Sequence, residues 1–130
     1  RERPNSHTSH VAQDTNPRGG QSLVPIKTLD ALIPQTGAKI VMLIDVEGNE
    51  LEVFRGARHL LANNDVIAVF EFTPETKRVF NLNDVQQLVG SDYQVKRLTD
   101  SGDLDDDIDH SWNCVLFRTS LSNTVQGGVN

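Results

Sequence analysis

Residues 40–61 read IVMLIDVEGNELEVFRGARHLL, an apolar run that turns within a few residues into a charged, amphipathic segment. From Ile40 to Ile44 the chain is continuously apolar, which suits a strand covered on both faces, as in a parallel sheet. The period then changes. Val53, Ala57, Leu60 and Leu61 recur at helical spacing with Phe54 beside them, predicting one amphipathic helix from Glu50 to Ala62. Its charges are sorted, with Glu50 and Glu52 in the first turn and Arg55, Arg58 and His59 after them, as the helix dipole favours. Asn63-Asn64-Asp65 ends it, and VIAVFEF (66–72) reads as a second buried strand. Strand, helix and strand with short joints make a βαβ unit, whose strands lie parallel with a right-handed crossover.

Outward from this unit the signals are plainer. Residues 1–22 are rich in Ser, Asn, Pro and Gly without apolar periodicity and read as a disordered or loop leader. LVPIKTLDALIP (23–34) offers a short extended piece, an N-cap at Thr28, a helical turn or two, and a stop at Pro34. After the second strand, Thr73-Pro74 can open a helical segment, and LNDVQQLV with Gly90 behind it reads as a short amphipathic helix. YQVKRL (93–98) and SWNCVLFR (111–118) read as strands joined by the polar loop 99–110, in which no helix fits, hence an antiparallel pair. Residues 119–130 read as a flexible tail. The expectation is one folded unit over 23–118.

Composition narrows the function classes. With 130 residues, 37% of them apolar, the chain suffices for one small core. A net charge of −6 disfavours nucleic acid as a ligand, because counterion release needs a basic surface. One cysteine, Cys114, makes no internal disulfide and no zinc site of CxxC spacing, which suits a reducing, cytoplasmic setting. No apolar run approaches the roughly 18 residues a membrane span needs. The sequence opens on Arg1 without a signal pattern or initiator Met, so a longer natural chain is expected.

The chemistry gathers at the strand ends. In an open parallel sheet, ligands bind beyond the carboxyl ends of the strands. Asp45 ends the first strand and Glu71 nearly ends the second, so the βαβ reading puts both carboxylates on one rim. Glu47 is either a helix-dipole residue or a site residue, whereas Glu50 and Glu52 read as dipole residues. Gly48 would let a ligand or a neighbouring backbone come close. Such a rim favours hydroxyls and ammonium or sulfonium groups. Elsewhere, DSGDLDDDID (100–109) starts like a calcium loop at Asp103, Asp105 and Asp107. It lacks the Gly at position six (Ile108) and the Glu at position twelve (Cys114), and so reads as a solvated loop. His7, His10, His59 and His110 have no partner at ligand spacing, so no metal is assigned. Cys114 and Trp112 read as packing residues, and Asn113 reaches the rim only if strand direction permits.

These residues carry a resemblance. Thr28-Leu29-Asp30, Asp45-Val46-Glu47-Gly48 with Glu50, Gly56-Ala57 with Leu60-Leu61, and Glu71 together resemble the carboxyl half of the FkbM family of S-adenosylmethionine-dependent methyltransferases. The resemblance implies an α/β fold: a partial, Rossmann-like class I methyltransferase sheet, with a parallel βαβ unit followed by an antiparallel terminal hairpin. It implies methyl transfer from S-adenosylmethionine to a hydroxyl of a small-molecule or carbohydrate acceptor. Asp45, Glu47 and Glu71 become candidate catalytic residues, and Asp45 and Gly48 candidate cofactor-binding residues. Asp45 would orient the acceptor or the methionine part of the cofactor, or act as base. Leu43 departs from the family, where Lys is common two residues before the Asp. The family's glycine-rich amino half is not recognisable here, and Gly19-Gly20 does not replace it because no strand precedes it. Two functions therefore stand side by side: part of a methyltransferase, or a non-catalytic α/β interaction module.

Overall fold

In a computed structural model of the protein, residues 20–110 and 112–119 are described. Most of the leader and nearly all of the tail expected above lie outside them. The first element, α1 (Leu29–Leu32), is a single turn capped by Thr28, whose Oγ1 accepts from the Ala31 amide at 3.1 Å. Next come β1 (Lys39–Ile44), α2 (Glu50–Arg55), α3 (Arg58–Asn63) and β2 (Asp65–Glu71). A 3-10 turn (Thr76–Arg78) leads to α4 (Leu82–Val89), β3 (Tyr93–Leu98), β4 (Leu104–Asp105), a second 3-10 turn (Ile108–His110) and β5 (Asn113–Arg118).

The five strands form one mixed sheet in the order β1-β2-β5-β3-β4. β1 and β2 are parallel, from Lys39 opposite Asp65 to Ile44 opposite Phe70, and the expected antiparallel pair of β3 with β5 is present. β5 also pairs antiparallel with β2, so the last strand in sequence lies between two earlier ones.

Two local expectations need correction. The single helix over Glu50–Ala62 is two, broken at Gly56-Ala57. A Cβ on Gly56 would sit 3.2 Å from Thr28, and the Gly56 carbonyl accepts from the Asp30 amide at 2.9 Å. Asp30 then accepts from the His59 and Leu60 amides at 2.9 and 2.8 Å. Those are the second and third residues of α3, the amides an N-cap serves. The Thr28-Leu29-Asp30 and Gly56-Ala57 motifs are thus one clasp: α1 docks into the helix break and caps the second half. The other correction concerns β1, which was expected to be covered on both faces. It is an edge strand with Val41 77% and Leu43 81% exposed, while Ile40, Met42 and Ile44 pack toward the core.

The core lies between the other sheet face and α2, α3 and α4, and holds Phe54, Leu60, Val66, Ala68, Phe70, Val85 and Leu116. Phe54 meets Phe70 edge-on at 5.2 Å between centroids, worth roughly 1 kcal/mol beyond the area buried. The end of α3 is braced from the terminal strands. The Tyr93 hydroxyl lies 2.8 Å from the Leu61 carbonyl and 2.9 Å from that of Asn64. Arg118 stacks over the Tyr93 ring at 4.8 Å and donates to the Leu61, Ala62 and Asn64 carbonyls. These last carbonyls of a helix have no partner within it.

Candidate functional site

The turn between β1 and α2 is held from within by Glu50. Its side chain is fully buried, with one carboxylate oxygen 3.1 Å from the Val46 amide and the other 3.0 Å from the Gly48 amide. Glu50 is therefore structural, as expected, but by clamping the turn as well as by facing a helix dipole. Clamped in this way, the turn places Glu47 at φ 52° and Gly48 at φ 102°. The second value is a conformation that L side chains rarely adopt, and it explains the glycine. What approaches Gly48 is the Val79 side chain, 3.5 Å from where a Cβ would stand. Asp45 and Glu47, on either side of Val46, are exposed.

Strand register sets the rest. Ile44 is opposite Phe70, so the residues that follow, Asp45 and Glu71, come level at the carboxyl ends of β1 and β2. Glu71 is in turn opposite Asn113, the first residue of β5. Asp45, Glu71 and Asn113 thus form a row across three neighbouring strands, spaced about 4.8 Å apart along the sheet. The rim expected from the βαβ pattern exists, and strand direction does bring Asn113 to it.

The row is electrostatically frustrated. The Glu71 carboxyl is raised above its ordinary 4.5, chiefly by the charge of Asp45, then by partial burial, then by Glu50 and Glu47. Every charge that acts on it is negative. Two exposed apolar residues stand near this end of the sheet: Val79, whose side chain approaches Gly48, and Trp112, which precedes Asn113 and is 63% exposed. The Trp112 carbonyl accepts from the Phe72 amide at 2.9 Å, immediately after Glu71. Trp112 is therefore not the packing residue expected. Its place was illegible because the sequence does not say at which end of the sheet β5 begins.

The second acid-rich segment behaves differently. Arg97 donates two bonds to Asp105, at 2.8 and 2.6 Å, and Lys96 reaches Asp106 at 2.8 Å. The hydrogen bond from Arg97 is the main reason that the Asp105 carboxyl falls from 3.8 to about 2. His110 Nδ1 lies 3.0 Å from Asp107, and Lys77 donates to the Asp109 carbonyl at 2.8 Å, pinning the loop to the first 3-10 turn. Among the described residues, no group of three or more His, Cys, Asp and Glu is arranged to hold a metal ion. None of the helices there is long and apolar enough to cross a membrane. Two concavities, of about 560 and 210 Å³, share Tyr93 at the opposite rim and include none of Asp45, Glu47 and Glu71.

A model of the methyltransferase FkbM domain family matches residues 2–101. No curated protein and no solved structure matches the chain.

Proposed function

We propose, from the premise that the chain belongs to the FkbM methyltransferase family, that it methylates a hydroxyl of a small-molecule or carbohydrate acceptor with S-adenosylmethionine as donor. The observation that carries this reading is the row of acids at the carboxyl ends of β1 and β2, where unrelieved negative charge raises Glu71. Such a rim suits the donor's positive charges and the acceptor's hydroxyl alike. It repels phosphate, which argues against a nucleotide-phosphate site.

S-adenosylmethionine supplies, when bound, an electrophilic methyl group on a sulfonium centre. Asp45 and Gly48 would hold its positively charged end, Asp45 by charge and Gly48 through the backbone of its turn. Glu71 accepts the acceptor's hydroxyl proton, a task for which a raised carboxyl is better matched than an ordinary one. Glu47 positions the acceptor from the left-handed turn. Much of the rate enhancement in such a transfer comes from holding the two reactants in line at near contact.

We read the described residues as the carboxyl half of a Rossmann-like class I sheet. Support comes from the parallel β1–β2 pair, the antiparallel β5, and the open edge and face of β1 at Val41 and Leu43. The half that holds adenosine would pack on that open side.

The test is methyl transfer from labelled donor by the intact protein. Activity lost in Asp45→Asn and Glu71→Gln, with the fold retained, is the expected result. Unchanged cofactor affinity and turnover in both would overturn the rim assignment. Calorimetric titration of the 130-residue chain with the donor tests the half-domain reading separately, since affinity equal to that of the intact protein would refute it.

A further inference from the structure

We propose that the groove between α3 and α4 is a second binding site, away from the acid row, for a small monocarboxylate with an apolar body. The hydrocarbon lies in the groove and the carboxylate pairs with Arg58.

The groove follows from helix periodicity. Arg58, Leu61 and Ala62 recur at i, i+3 and i+4 and so share one side of α3. Leu88 and Val89, which end α4, line the same cavity, of about 210 Å³, and Asp92 and Tyr93 at the start of β3 complete it. Leu61 and Tyr93 are each only 2% exposed and form its floor. Leu88 and Val89 are half-buried, while Arg58 and Asp92 are exposed at its mouth.

The floor has no polar task left. The Tyr93 hydroxyl and Arg118 already serve the carbonyls of Leu61, Ala62 and Asn64. The interior therefore offers apolar surface, and polar recognition falls to the mouth. There the charges do not cancel. Asp92 has Arg118 at 3.9 Å, whereas the Arg58 side chain has no hydrogen-bond or ion-pair partner among the described residues. Arg55, three residues earlier, is answered by Glu52. One cation is left over beside an apolar cavity, the complement of a monoanion with a hydrocarbon tail. A guanidinium fork matches a carboxylate in two parallel bonds. Asp92 at the same mouth disfavours a dianion such as phosphate. The volume equals that of about seven waters, which limits the tail to about four to six carbons. The acids Asp45 and Glu71 lie at the other end of the sheet, so this occupant is distinct from the methyl acceptor. The site stands or falls independently of the methyltransferase reading.

The test is NMR titration of the intact protein, methyl-labelled at Leu and Val, with 3-methylbutyrate, its neutral amide and butylphosphonate. The expected result is saturable binding of 3-methylbutyrate at about 1 mM or tighter, as suits a ligand of this size. The signals of Leu61, Leu88 and Val89 should shift, while those of Val69 and Val115 stay still. Arg58→Gln should weaken binding about tenfold or more and leave the thermal midpoint unchanged, since its side chain is exposed and unpaired. Arg58→Lys should keep part of the affinity, and Ala62→Trp, on the exposed wall, should block entry. Equal affinity for the amide, or tighter binding of the phosphonate, would overturn the monocarboxylate assignment. No saturable shift at Leu61, Leu88 and Val89 at concentrations far above the expected dissociation constant would overturn the site itself, as would undiminished binding in Ala62→Trp.

Discussion

Two clusters of acid stand among the described residues, and they are electrostatic opposites. In the loop from Thr99 to His110, carboxylates find partners of the same chain: Asp105 the cation Arg97, Asp106 the cation Lys96, and Asp107 the His110 imidazole at 3.0 Å. The Asp105 carboxyl accordingly falls to about 2. At the sheet rim, Asp45, Glu50 and Glu47 act on Glu71, which rises instead. Similar composition thus produces one segment in which Asp105 and Asp106 are paired with cations and another in which the charges acting on Glu71 are negative. The difference teaches that pairing, and not the number of acids, separates a structural cluster from a candidate site.

The contrast can be broken most directly at Asp45. In the intact protein, Asp45→Asn is expected to lower methyl transfer by about 100-fold or more, the scale of a positioned catalytic group. It should also bring the Glu71 carboxyl back toward 4.5, read by carboxyl-carbon NMR titration, because Asp45 is the largest cause of its rise. Turnover and titration both unmoved would make the rim no different in kind from the loop.

Glu50 sharpens the comparison from inside the rim, as the one acid there with a structural task. Glu50→Ala leaves the Val46 and Gly48 amides without their acceptor and should cost about 3 kcal/mol in urea denaturation. Glu50→Gln, which keeps an acceptor oxygen, should cost less. Asp30, which belongs to neither cluster, sets a scale for an ordinary cap. Asp30→Ala should cost about 1 kcal/mol, with hydrogen exchange quickening at His59 and Leu60.

The smallest effect is in the pH dependence, where the two clusters should differ in sign. Asp105 has a lowered folded value, so its contribution is present above 3.8 and is lost as pH falls from there through about 2. Glu71 has a raised folded value, so its protonated form favours the fold, and that contribution is lost as pH rises from 4.5 through the folded value. Denaturation midpoints across this range should lose their acid-side slope in Asp105→Asn and their opposite slope in Glu71→Gln. Like-signed slopes would contradict the opposition.

Much of the fold was legible because it rests on local signals. The change of period at Asp45, the Thr28 cap, the stop at Gly90 and the short joints each leave a mark in a few residues. What was illegible depends on contacts distant in sequence. The helix break at Gly56 is imposed by Thr28 and Asp30, which precede it by more than twenty residues and fold back onto it. β1 looks doubly buried because a run of Ile, Val, Met and Leu reads the same whether its second face is covered or open. Of the candidate site, the shared rim of Asp45 and Glu71 followed from topology alone. The clamp by Glu50 and the exposure of Trp112 did not, since a first-turn acid and an aromatic at a strand start each have a commoner explanation.

The position of β5 has a consequence for how the chain comes to be folded at all. As synthesis proceeds, β1 and β2 can pair early, yet the other edge of β2 and the facing edge of β3 stay vacant until residues 113–118 emerge. The carbonyls that end α3 meet Tyr93 first and receive Arg118, 54 to 57 residues downstream, only later. A nascent chain stalled before Asn113 would therefore display unpaired strand edges, the kind of surface that chaperones shield and neighbouring chains seize. The rim is finished in the same late step: Asn113 comes opposite Glu71, and the Trp112 carbonyl meets the Phe72 amide, only when the final strand threads between two that are already made.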